Sequence, residues 1–106
     1  MSKPFVLPRR VQVGPFPYEL RRDEGLVADE SWATHDAILR RISFRPAAGP
    51  SELLPHFVHE LIHAIEDVWG MDLTHDDVKR IANSLVQVLQ SVGLLPEGAV
   101  LEGEDA

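Results

Sequence analysis

Cysteine is absent from this 106-residue chain, lysine occurs only as Lys3 and Lys79, asparagine only as Asn83, and no apolar run reaches 18 residues. The lack of thiols excludes a disulfide framework and a thiolate metal site, so any metal must be held by histidine and carboxylate ligands. The lack of a long apolar run excludes an ordinary membrane-spanning helix. The amino terminus carries no apolar signal core, which sets the expected location in the cytoplasm. Basic residues are also scarce, 10 against 17 acidic, for a formal charge of −7. That balance argues against nucleic acid or an anionic membrane as partner, since both need a basic surface to displace counterions. The pairs Arg9-Arg10, Arg21-Arg22 and Arg40-Arg41 sit in strand-like surroundings and read as solvated strand ends. Arginine outnumbers lysine and eight prolines stiffen the chain. A thermophilic source and a GC-rich genome both produce such a bias.

What is present suffices for one small domain, because 44% apolar residues can bury a single core but leave no second lobe. The first half reads as short strands at 10–13, 18–22, 26–29 and 38–44, separated by turn residues at Gly14-Pro15-Phe16-Pro17 and Asp23-Glu24-Gly25. In the last of these, Ile38, Ile42 and Phe44 share one side and Arg41, Ser43 and Arg45 the other, as in a sheet with one wet face. An antiparallel meander of three to four strands is the expectation.

Ala47-Ala48-Gly49-Pro50-Ser51 ends the strand pattern, and a helix is predicted to begin between Ser51 and Pro55, since proline fits the first turn, and to stop near Trp69 with Gly70 as cap. Thr74 and Asp77 are spaced as a capping box, and Val78, Ile81, Ala82, Leu85 and Leu89 trace the inner face of a second helix ending before Gly93. The predicted fold class is α+β, a small antiparallel meander followed by two packed helices. Residues 1–96 form the domain, and the acidic segment 97–106, with Glu97, Glu102, Glu104 and Asp105, reads as a frayed or disordered tail.

The first helix carries the most informative residues, His59-Glu60-Leu61-Ile62-His63. Positions i and i+4 lie roughly 6 Å apart on one helix face, so two imidazoles can converge on one tetrahedral ion. The intervening Glu60 lies beside that face, suited to take a proton from a metal-bound water and return it to a leaving group. Chance alone places this pattern in about 2 of 100 shuffled chains of this composition. It gains weight because Leu54, Phe57, Val58, Leu61, Ile65 and Val68 form an apolar stripe that leaves His59 and His63 on the other side.

With these residues in hand the chain resembles the small His-Glu-x-x-His (HExxH) proteins of bacteriophages and prophages. The likeness spans roughly residues 9–92 and rests on strands leading into Phe57-Val58-His59-Glu60-Leu61-Ile62-His63-Ala64-Ile65-Glu66, then Gly70-Met71-Asp72-Leu73-Thr74, then Ile81-Ala82-Asn83. More distantly it is similar to minimal gluzincins and to the ImmA/IrrE-type metallopeptidases of mobile elements. The resemblance implies a zincin-like fold, zinc (Zn2+) on His59 and His63, Glu60 as general base, a peptide or protein substrate, and the cytoplasm of a host bacterium. In those relatives an acid one turn before the Ala-Asn-like pair completes the site, and Lys79 stands there in this chain. His75 and the adjoining Asp76 are the available substitutes, each with an alternative reading as an ordinary first-turn residue.

Glu66 continues the histidine face and suits a hydrogen bond to a ligand imidazole better than direct ligation, which would stretch zinc bonds across two turns. His56 shares the face as an alternative ligand, with a solvated helix-start histidine as its ordinary reading. For an oxyanion formed in the reaction, His35, Tyr18, His75 and Arg80 are the donors at hand. The expected activity is zinc-dependent peptide hydrolysis. The competing expectations are a non-catalytic zinc-stapled module of a phage, and a regulatory protein that uses Trp32 and Trp69 to hold a host factor without cutting it.

Overall fold

The structure is a computed structural model that describes residues 3–27 and 32–104. Its elements in chain order are β1 (Phe5–Leu7), β2 (Arg10–Val13), β3 (Phe16–Arg22), β4 (Ala33–Asp36), β5 (Arg41–Phe44), α1 (Pro50–Trp69), α2 (His75–Ser91) and β6 (Ala99–Leu101). The class is α+β, as the sequence pattern predicts. The strand order differs: β2-β3-β5-β4 form one sheet and β1-β6 a separate parallel pair.

β2 and β3 form a hairpin because Gly14 adopts φ +56° at the turn, and it lies so close to α1 that a Cβ there would meet Val68 Cγ1 at 2.7 Å. Both the backbone angle and the helix contact demand glycine. Along β3 the side chains alternate, with Tyr18 and Leu20 buried and Pro17 and Glu19 exposed. Pro17 is tolerated in this central strand because β5 reaches only as far as Glu19, so no partner awaits the missing N–H.

β5 pairs parallel to β3, with Leu20 opposite Ile42, and antiparallel to β4, which corrects the expected meander. The chain passes from β3 to the outer edge, forms β4, and returns to insert β5, whose Ile42 and Phe44 are fully buried. The strand expected over 38–44 is shorter for a local reason. Asp36 Oδ1 accepts from the backbone N–H groups of Ile38 and Leu39 at 2.9 Å, closing a turn that leaves Ile38 90% exposed. Of the strand expected over 26–29, Leu26 and Val27 belong to a single 3-10 turn, and the rest lies outside the described residues.

α1 starts on Pro50, one residue before the expected range, and runs through Pro55, which lies beyond the first turn. Gly70 at φ 67° caps it, its N–H bonded to Glu66 O. Leu53, Leu54, Val58 and Ala64 are buried, and Phe57, Leu61, Ile65 and Val68 pack partly buried against the same core. At the start of α2, Thr74 Oγ1 accepts from Asp77 N at 3.1 Å. Its buried face is Val78, Ala82 and Val86, rotated from the expected one, so that Ile81 and Leu85 point outward, 45% and 44% exposed.

The segment after Pro96 is not a frayed tail through Glu104. Ala99, Val100 and Leu101 form β6, all buried, in register with Phe5, Val6 and Leu7. Glu104 then meets Arg22 in a two-pronged pair, Nε to Oε2 and Nη2 to Oε1, both at 3.0 Å. The apolar Ala-Val-Leu triplet drives this docking, and the acidic residues flanking it dominated the composition without deciding the structure.

Candidate metal centre

The helix pair brings three of the residues named from the sequence together. One ring nitrogen each from His59 and His63 on α1 and from His75, the first residue of α2, lie within 4.8 Å of one another. His63 Nε2 and His59 Nε2 are 3.2 Å apart. Two nitrogens bound to one tetrahedral zinc at 2.0–2.1 Å stand about 3.3–3.4 Å apart, so this pair already has the spacing that a shared ion requires. The third imidazole arrives because Thr74 caps α2 one residue earlier and sets its first turn against α1.

Glu66 explains how that turn is fixed. It is only 8% exposed, its Oε2 accepts from the backbone N–H of Leu73 at 2.7 Å, and its Oε1 faces His63 Nδ1 at 3.0 Å. One buried carboxylate thus ties the α1–α2 loop to the helix and orients a motif histidine. A carboxylate on Nδ1 favours the His63 tautomer with its proton there, which leaves the Nε2 lone pair for the cluster. Asp76 is exposed and outside the group of three, and Lys79 is likewise exposed one turn further along α2.

Glu60 is 9% exposed, and its Oε2 lies 3.2 Å from His35 Nδ1, while His35 Nε2 lies 2.8 Å from Asp67 Oδ2. A carboxylate against each ring nitrogen favours the imidazolium form of His35, which can donate to both. Its pKa is raised above the ordinary histidine value, chiefly by the hydrogen bond to Glu60, with Asp67 adding and burial opposing. The ring also stacks on His63, centroids 5.3 Å apart and planes 8° off parallel, with His75 stacked 5.7 Å from His63.

His59 shifts the other way. Burial lowers its pKa, Glu60 opposes, and the neighbouring His63, His75 and His56 lower it further. A neutral imidazole is the ligand form, so this environment favours metal binding. His56 stands outside the cluster, stacked on Trp32 at 5.9 Å, and burial lowers its pKa too. Trp32 in turn lies under the Arg45 guanidinium, 4.8 Å from the ring centroid, whereas Trp69 is 64% exposed.

Of the donors named for an oxyanion, Tyr18 is buried, 2% exposed, and Arg80 is exposed with Asp77 Oδ1 3.6 Å away. His35 is committed to its two carboxylates. That role for His35 was not legible in the sequence, because β4 is four residues long and contains no apolar alternation strong enough to mark it as a strand.

No protein-family model matches the chain, and no curated protein or solved structure matches it. Among the described residues no helix is long and apolar enough to cross a membrane.

Proposed function

We propose that the chain is a small zinc metallopeptidase of the phage His-Glu-x-x-His type, zincin-like in its arrangement of a motif helix beside a sheet. The observation that carries the reading is the convergence of His59, His63 and His75, with two Nε2 atoms 3.2 Å apart and all three ligand nitrogens within 4.8 Å. His59, His63 and His75 would hold the ion through three imidazoles, the ligand count typical of a catalytic zinc site. Zinc held there would supply a Lewis acid that acidifies water and polarises a scissile carbonyl.

The remaining work falls to the chain's own groups. Glu60 takes the proton of the attacking water and returns it to the departing amine. His35 fixes the Glu60 carboxylate through Oε2 and is itself fixed by Asp67, so the base is held by a strand and a helix together. Glu66 keeps the His63 lone pair on the metal side. The substrate class is a peptide or protein segment.

A second reading, a non-catalytic zinc staple between α1 and α2, is favoured by one feature: Glu60 is only 9% exposed and already engaged by His35. Zinc-loaded wild type and Glu60→Gln, assayed on denatured casein and a quenched peptide library, separate the two. The metallopeptidase reading expects cleavage by the wild type, a loss of about 10²–10⁴-fold in the variant, and one zinc in each. A zinc-loaded wild type that cleaves nothing and unfolds on chelation overturns it in favour of the staple.

A further inference from the structure

We infer that the outward face of α2 pairs with the same face of a second copy of this chain, forming a two-fold dimer with the two helices antiparallel. The face consists of Ile81, Leu85 and Val88 on the helix and Val92 at its C-cap, exposed by 45%, 44%, 54% and 62%. Their spacings of four, three and four residues are those of a seam between two packed helices, where apolar residues recur on average every 3.5 positions. The buried side of α2 follows a different row, Val78, Ala82 and Val86, so this seam is surplus to the chain's own core.

Charge points to a second copy as the occupant. A quarter of the chain is charged, yet residues 81–96 contain no Asp, Glu, Lys, Arg or His. At a net charge of −7, two copies repel over most of their surfaces. The charge-free end of α2 is where they can approach without burying like charges. Ser84 borders the seam, small enough to let the helices come close, and Arg80 lies at its N-terminal end, where antiparallel pairing keeps the two copies' arginines apart. Antiparallel pairing sets Ile81 against Val92 and Leu85 against Val88 and keeps the two acidic first turns, Asp76 and Asp77, far apart. The four side chains expose a few hundred Å² in all, the size of the largest apolar patch on an ordinary monomer and less than the roughly 800 Å² per partner of a standard interface, so they supply its apolar centre and the surrounding residues its rim.

Sedimentation velocity of the full chain over about 1–200 µM tests this, with Leu85→Glu/Val88→Glu as the disrupting variant and Leu39→Glu, on the exposed β4–β5 turn, as control. The expected result is a wild type and control that sediment at twice the 11.8 kDa chain mass at the upper concentrations. The double variant keeps its far-UV spectrum but stays monomeric, with dimer affinity reduced at least about 100-fold. A wild type that is monomeric throughout overturns the inference and leaves the face to a different partner. A dimer that survives in the double variant overturns the assignment of the face. Neither outcome depends on zinc or on peptide cleavage.

Discussion

Replacing Glu66 by glutamine changes one atom yet should separate metal binding from folding. The backbone N–H of Leu73, 2.7 Å from Oε2, can only donate, so it requires the amide oxygen on its side. The NH2 group is thereby turned toward His63 Nδ1, where Oε1 stood at 3.0 Å. A donor at that point drives the proton of His63 from Nδ1 to Nε2, the nitrogen that faces His59 at 3.2 Å. Restoring a ligand lone pair then costs either the new hydrogen bond or an unpaired buried N–H. Loss of a hydrogen-bond partner of a ligand histidine typically weakens metal binding about 10–100-fold, roughly 1.4–2.8 kcal/mol. The apo protein should lose less, about 1 kcal/mol, because two neutral hydrogen bonds replace two charge-assisted ones. Competition titration against a chromophoric zinc chelator, paired with urea unfolding of the apo forms, measures both. A variant that binds zinc within about threefold of wild type would refute the orienting role assigned to Glu66.

Further consequences concern the termini and pH. Leu101→Ala should cost about 2–5 kcal/mol in urea unfolding, since Leu101 is fully buried between β1 and α1; a frayed tail would give a change near zero. The Arg22 hydrogen bonds hold the Glu104 pKa below the ordinary carboxylate value. Its contribution is therefore present above that ordinary value and is lost as pH falls through the depressed folded value. Both partners are about a quarter exposed, so the effect is at most about 1 kcal/mol, and Glu104→Gln should flatten the acid limb of a stability–pH profile. An unchanged profile in that variant counts against the pair.

The parts of the fold legible in the sequence were those with local signals. Gly70 and the Thr74-Asp77 cap bound the two helices within a residue or two, and Gly14 marks the β2–β3 hairpin. β1 and β6 gave no such signal, because each is three residues long and Phe5 finds its partner at Ala99, across nearly the whole chain. The order β2-β3-β5-β4 was equally hidden, since alternation reports which face is buried and not which neighbour pairs. At the candidate site, helical spacing alone brought His59, Glu60 and His63 forward. His75 was one of two substitutes separated only by where the loop folds, which Glu66 and Leu73 decide in three dimensions. The bond from His35 to Glu60 spans 25 positions and leaves no periodic trace.

Whether His59, His63 and His75 hold zinc is decided by elemental analysis of protein purified without added metal, on the wild type and on His59→Ala/His63→Ala. The expected result is one zinc per chain in the wild type and none in the double variant. A wild type that carries no metal, and takes up none when zinc is added and the excess removed, contradicts it.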